Sequence, residues 1–244
     1  MLLVCGCGRF GFDASIDARG SGDDAASDAV TAAACKASYE LCDDFEATAF
    51  DSVWTLDSPN ISLDTTIAHR GGQSMHVFSD LVAAGKPGEF SLDETATLAL
   101  NDPTFYVRTY VRLGALPLDN MRLIKAAQIS GAPREDGVYI NPGEMTVFSQ
   151  FSGASQSTNE NPPTDTWFCV LWTVHRSTTS GSLALAGDPP ALTLPNTQTD
   201  GAPPISILGF GIEFSATTQM VDQPRIDVWI DDVIVANTPI TCAD

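Results

Sequence analysis

The sequence predicts an all-β protein: one β-sandwich domain, from about Cys42 to Cys242, carried on a flexible acidic tether. Three observations predict it. From Leu41 onward, short runs of alternating apolar and polar residues are separated by Gly, Pro, Asn and Asp clusters, the pattern of a sandwich or barrel. After position 40 no stretch shows a helical period. Before it, residues 8–38 have a different texture altogether.

The strands follow in order. In Phe105-Tyr-Val-Arg-Thr-Tyr-Val-Arg112, Phe105, Val107 and Val111 share one face, and Tyr106, Arg108, Tyr110 and Arg112 the other. Met145–Phe151 alternates in the same way, and Trp167–Val174 is apolar on both faces, as a central strand is. Ile205–Phe214 and Ile226–Val235 complete the strong strands; Ser74–Ser79, Glu94–Leu100, Arg122–Ile129 and Leu183–Leu185 are shorter candidates. Loops are expected at Ala84–Gly88, Gly131–Gly137, Gly153–Thr166 and Gly187–Pro204. A chain of 244 residues, 43% apolar and without an internal repeat, suits one core rather than two.

Residues 8–38 are dominated by Ala, Asp, Ser and Gly, with Phe10 and Phe12 their only aromatic side chains before the domain. Such a segment buries too little apolar surface to offset its ordering entropy, so it reads as a disordered tether. No run of about 20 apolar residues occurs, so no membrane-spanning helix is expected. The opening, Met1-Leu2-Leu3-Val4-Cys5-Gly6-Cys7, is too short for a signal peptide and lacks its basic start. Its Val4–Cys7 portion resembles the end of a bacterial lipobox, with Cys5 where Ala or Ser is usual. Cys5 as acceptor fits worse, because Val4 would precede the cut. The expectation is a true start upstream of Met1, residues 1–7 as the remnant of a lipoprotein signal peptide, lipidation at Cys7, and an exported outer-membrane or cell-surface lipoprotein.

Net charge is −19, from 12 basic and 31 acidic residues. That surface repels phosphate backbones and anionic lipid, so nucleic acid is excluded as a partner and membrane contact is expected only through the lipid anchor. Setting Cys5 and Cys7 aside leaves Cys35, Cys42, Cys169 and Cys242, and two disulfides with three possible connectivities. Cys35–Cys42 would close a small loop and leave Cys169–Cys242; Cys42–Cys242, bracketing the domain, is the rival. No Cys-x-x-Cys pair exists, which argues against structural zinc.

Several strings resemble the concanavalin A-like (laminin G-like) jelly rolls: Asp43-Asp44-Phe45-Glu46 followed by Trp54; Gly71-Gly72-Gln73-Ser74-Met75-His76-Val77; Trp167–Trp172 then Gly181–Leu185; and the closing Ile230–Val235. The resemblance spans about Cys42 to Cys242. It implies a two-sheet antiparallel jelly-roll sandwich, residues 39–244, with first and last strands side by side and one concave sheet. The family includes lectin-like modules, adhesion domains, glycoside hydrolases and polysaccharide lyases, so fold leaves function open.

Catalytic patterns are weak. Glu89-Phe-Ser-Leu-Asp93-Glu94 lacks the period that sets two carboxylates at glycosidase spacing. Arg108-Thr-Tyr-Val, Gln128-Ile-Ser and Gly137-Val-Tyr139 echo the lyase strands, but Ser130 stands where His is expected and the Lys near Tyr139 is missing. No Gly-x-Ser-x-Gly elbow occurs, and His69, His76 and His175 have no evident nucleophile. Two binding features remain. The resemblance places a structural Ca²⁺ where first and last strands meet, with Asp44, Glu46, Asp231 and Asp232 as oxygen ligands. Strand parity groups Tyr106, Arg108, Tyr110 and Arg112 with Gln128, Tyr139, Asn141, Gln150 and Glu213 on the concave face, where rings beside amides and guanidiniums suit sugars. The expected function is a non-catalytic, monomeric surface module for glycan or envelope polysaccharide; the alternatives are a lyase or hydrolase of the same fold, or a protein-adhesion domain.

Overall fold

The computed structural model describes residues 35–94, 104–127, 135–150, 153–175, 180–185, 192–194, 205–216 and 219–243. Cys7, positions 8–34 of the expected tether, and Gln128 lie outside them.

Among the described residues fifteen strands follow in chain order: β1 Leu41–Asp43, β2 Trp54–Leu56, β3 Ile61–Asp64, β4 Ser74–Phe78, β5 Gly88–Glu94, β6 Thr104–Leu113, β7 Met121–Ala127, β8 Glu135–Asn141, β9 Glu144–Ser149, β10 Ala154–Ser157, β11 Phe168–His175, β12 Ser180–Leu185, β13 Leu192–Leu194, β14 Ile207–Phe214 and β15 Asp227–Ala236. They form a two-sheet antiparallel jelly-roll sandwich. The first sheet runs β13-β12-β11-β6-β15-β4-β3, with β1 also on β15; the second runs β10-β9-β8-β7-β14-β5-β2. β1 lies antiparallel to the last strand, with Cys42 opposite Ile234, so the ends of the domain are paired as the resemblance implies.

Two elements fall where loops were expected, and a third, β5, precedes the strand expected at Glu94–Leu100. β10 reads Ala-Ser-Gln-Ser and β13 only Leu-Thr-Leu, too polar or too short to show an alternation. β5 occupies the acidic string 89–94, because Leu92 enters the core while Glu89, Ser91 and Asp93 face outward.

The inner faces interlock by period-2 alternation. Phe105, Val107, Val111, Val170, Trp172, Val228 and Ile230 of the first sheet belong to one buried cluster with Ile124, Val138, Val147, Leu208, Phe210, Ile212 and Phe214 of the second. Each such side chain contributes about 1.5–3 kcal/mol by leaving water. Outside the first sheet, Ile240 and Cys242 of the C-terminal segment pack on Leu171, Ile234, Ala236 and Tyr106. Two disulfides pin the ends: Cys35–Cys42 and Cys169–Cys242. This resolves the open connectivity and ties residues 35–38, counted with the tether, to β1.

A groove on the second sheet

The second sheet carries a groove of about 460 Å³ on its outer face, within the range of small-ligand sites. A bulge in β7 builds it. The register with β8 shifts between Arg122 and Ile124, so Leu123 and Ile124 both enter the core while Arg122 and Lys125 both face out. Strict alternation would have opposed them.

Arg122 is the centre of the groove and only 7% exposed. Its Nε donates to Glu213 Oε2 at 3.1 Å, its Nη2 donates to Glu213 Oε1, and its Nη1 donates to Glu135 Oε2. Nη1 also reaches Tyr139 Oη at 3.5 Å. Paired guanidinium–carboxylate bonds are strong and directional. Burial would pull Arg122 down, but Glu213 more than offsets it and the guanidinium stays charged. Burial pushes the Glu213 carboxyl up, against the pull of Arg122, with Lys125 a smaller opposing charge. Gly137 makes room: a Cβ there would lie 2.8 Å from the Tyr139 ring and 3.1 Å from Arg122 Cδ.

Beyond Arg122, the Tyr139 and Phe148 rings meet edge to face, centroids 6.2 Å apart. Asn141 Nδ2 donates to Glu144 Oε1 at 3.2 Å and Thr146 Oγ1 at 2.8 Å, and Thr146 Oγ1 lies 2.8 Å from Ser157 Oγ. Asn141 Oδ1 is buried with no partner. On the other side, Lys125 Nζ sits 2.7 Å from Glu89, 2.9 Å from Asp93 and 3.9 Å from Glu213. Burial pulls the ammonium down; Asp93 and Glu89 hold it above its ordinary value. With Asp57, Glu89 and Asp93 form the one trio of acids, among the described residues, whose ligand atoms lie within 4.8 Å of one another. Lys125 already supplies a cation to it.

Of the residues expected on the concave face, Tyr139, Asn141, Gln150 and Glu213 converge in this groove. Tyr106, Arg108, Tyr110 and Arg112 do not join them. β6 lies in the first sheet, between β11 and β15, so its polar face looks away from the opposite side of the sandwich. Parity tells which side of a strand a residue takes, not which sheet the strand enters. There each of the four has a partner: Tyr106 packs in the tail cluster, Arg108 is fully buried, Tyr110 Oη donates to the Cys242 carbonyl, and Arg112, a quarter exposed, donates from Nη1 to the Asp165 carbonyl at 2.6 Å. Burial lowers the Arg108 pKa. Sequence reasoning passed over Arg122, Glu135, Glu144 and Phe148. The signal available for Arg122 was a lone Arg beside an apolar Leu-Ile pair.

The acids expected to hold calcium occupy one corner of the first sheet without forming such a trio. Asp231 Oδ2 accepts from the N–H groups of His69 and Arg70 at 2.8 and 3.3 Å. Glu46 Oε1 accepts from those of Gly72 and Gln73, so both acids clasp one loop. Asp44 Oδ1 accepts from Glu46 N. Asp232, at φ +51° in the β15 bulge, faces His69 Nδ1 at 2.9 Å; its Oδ1 is buried and unpartnered. Burial and the adjacent Asp232 push Asp231 up to about 7. The other histidines are bound within the first sheet: His76 Nε2 to Asp227 at 2.9 Å, and His175 Nδ1 to Thr104 at 3.0 Å.

No family model and no curated protein matches the sequence. Solved structures share its fold at low identity. The cellulose induced protein Cip1 is 20% identical, with a TM-score of 0.61 over 83% of this chain and 99% of its own. The binding domain of botulinum neurotoxin DC, solved with rat synaptotagmin II, is 12% identical, with a TM-score of 0.60 over 85% of this chain. A botulinum neurotoxin type C structure, titled for cell entry dependent on two ganglioside molecules, is 14% identical, with a TM-score of 0.54. This chain spans 50% and 44% of the two toxin chains. At these identities the likeness establishes the fold: a jelly roll of the kind seen in Cip1 and in the toxin binding domains.

Proposed function

We propose that the protein is a glycan-binding module that holds its ligand in the groove of the second sheet. The observation that carries this is the pairing of the Tyr139 and Phe148 rings with amide, hydroxyl and carboxylate groups in one concavity. Sugar rings offer apolar C–H faces and hydroxyl edges, and this lining matches both. The ganglioside named for the type C toxin structure is a second, weaker support, since it concerns a protein of the same fold. A glycan array identifies a ligand, and titration calorimetry then compares variants. Phe148→Ala and Tyr139→Ala are expected to weaken binding more than about tenfold with the fold intact; unchanged affinity overturns the reading. The same samples are assayed for new reducing ends and unsaturated uronates, and turnover would move the protein to the hydrolase or lyase class.

Two further parts of the proposal concern how the module is held. A structural Ca²⁺ held by Asp44, Glu46, Asp231 and Asp232 would occupy the corner where first and last strands meet. The unpartnered, buried Asp232 Oδ1 beside a second carboxylate supports it. Millimolar calcium is expected to raise the melting temperature relative to chelator; no shift rejects the site. Export with lipidation at Cys7 is tested by fatty-acid labelling with the upstream codons restored, and absence of label on Cys7 sinks it.

A further inference from the structure

We infer that the groove selects glycans bearing protonated amines, of the poly-glucosamine kind, over uronate polymers. This rests on the glycan-binding reading and specifies its ligand class. The groove's one cation among the described residues is already paired. Arg122 is its cation, and that guanidinium is committed: Nε and Nη2 to Glu213, Nη1 to Glu135. Two carboxylates flank it, so a ligand carboxylate would meet acids before it met Arg122. Glu144 is a third acid on the lining, and its partners are neutral: Asn141 Nδ2 at 3.2 Å and Thr146 Oγ1 at 3.3 Å. Three carboxylates against one guanidinium leave the groove net anionic.

A second observation is independent of charge. Asn141 turns its amide nitrogen to Glu144 and Thr146, which leaves Oδ1 buried in the lining as an acceptor without a donor. A buried acceptor left unmade costs free energy, which a donor from a ligand that displaces the Asn141 side chain would recover. An ammonium supplies three donors and a positive charge; a carboxylate supplies neither. The whole-molecule charge of −19 acts in the same direction by drawing cationic chains in and holding polyanions off.

The experiment is calorimetry at pH 6 and near-physiological salt with three oligosaccharides: glucosamine hexamer, N-acetylglucosamine hexamer and a hexauronate. The glucosamine hexamer is expected to bind at least about tenfold more tightly than the acetylated one, and the hexauronate not measurably. Glu144→Gln should cost the glucosamine hexamer about tenfold more than it costs the acetylated hexamer, because only the former meets its charge. Phe148→Ala separates the groove from general attraction to an acidic surface: it should weaken both hexamers. A hexauronate that binds as tightly as the glucosamine hexamer overturns the inference, as does an E144Q loss equal for both hexamers, or glucosamine binding indifferent to Phe148. If the acetylated hexamer binds through Phe148 while the amine adds nothing, the inference falls and the glycan reading stands. If no oligosaccharide binds, both fall.

Discussion

The indole Nε1 of Trp54 donates to Asp43 Oδ2 at 2.6 Å, a bond from β2 of the second sheet to β1 of the first. The other Asp43 oxygen accepts from Phe45 N at 2.7 Å. That turns the chain so that Phe45, at φ +56° and 2% exposed, stacks beside Trp54. The Asp-Asp-Phe-Glu string with its later Trp is thus a staple across one edge of the sandwich. Trp54→Phe keeps an aromatic ring, though a smaller one, and removes the donor, leaving a half-buried carboxylate oxygen without its partner. It is expected to cost about 1.5–3 kcal/mol, read from urea denaturation. An unchanged midpoint would show that the staple is dispensable.

Arg122 is held between Glu213 and Glu135, whose side chains are 22% and 29% exposed. Removing the guanidinium strands charge that burial already disfavours. Arg122→Met is expected to destabilise by about 3 kcal/mol. Adding Glu213→Gln should recover part of that loss, because the stranded charge goes with it. Additive losses in the double-mutant cycle would mean that the two side chains are not coupled.

At Gly211, φ is +146°, and a Cβ would lie 2.3 Å from the Phe90 carbonyl oxygen. Backbone cannot step aside as a flexible side chain can. Gly211→Ala is expected to cost about 2–3 kcal/mol or more in chemical denaturation. Because β14 carries Glu213 two residues on, the variant should also weaken ligand binding in the groove. A variant of wild-type stability would mean that β5 and β14 can separate freely here.

The strongest strands of the sequence reading reappear as β6, β9, β11, β14 and β15 because their alternation is the physics that packs them. What escaped the reading has equally physical causes. β10 is polar and caps an edge, so it has no buried face to alternate. Leu123 and Ile124 both enter the core at a bulge, and one extra residue inverts parity for all that follows in β7. Sheet membership is a long-range fact: nothing within Tyr106–Arg112 says that β6 is flanked by β11 and β15 rather than by β7 and β8. Tyr139, Asn141, Gln150 and Glu213 could be grouped because their strands share a sheet; the β6 quartet was grouped by the same rule and landed on the other.

Cys169–Cys242 closes a loop of sequence separation 73 and holds the C-terminal segment over β11. Constraining a loop of that length in the unfolded chain is worth about 4 kcal/mol. Cys169→Ser with Cys242→Ser is expected to lose about 2–4 kcal/mol, and Tyr110 should become more accessible to solvent as its partner, the Cys242 carbonyl, moves off. A double variant that melts with the wild type, with Tyr110 still shielded, would show that apolar packing of Ile240 alone holds the tail.

Asp227 gives the fold an acid-sensitive contact. Arg225 donates to it at 2.7 Å and His76 Nε2 lies 2.9 Å away. The hydrogen bonds from Arg225, then that from His76, hold its carboxyl below the usual 3.8 despite partial burial. A carboxyl lowered in the folded state adds stability that is fully present above the unfolded pKa and is lost as pH falls through the folded one. The window is therefore the region below about pH 4. Asp227→Asn removes the titrating group, so its melting temperature should fall less steeply than that of the wild type over this range. At pH 7 the variant should be less stable by under about 1 kcal/mol, since the partners are solvent-screened. Parallel curves below pH 4 would show that Asp227 binds its proton equally in both states and that the contact to Arg225 and His76 contributes no acid dependence.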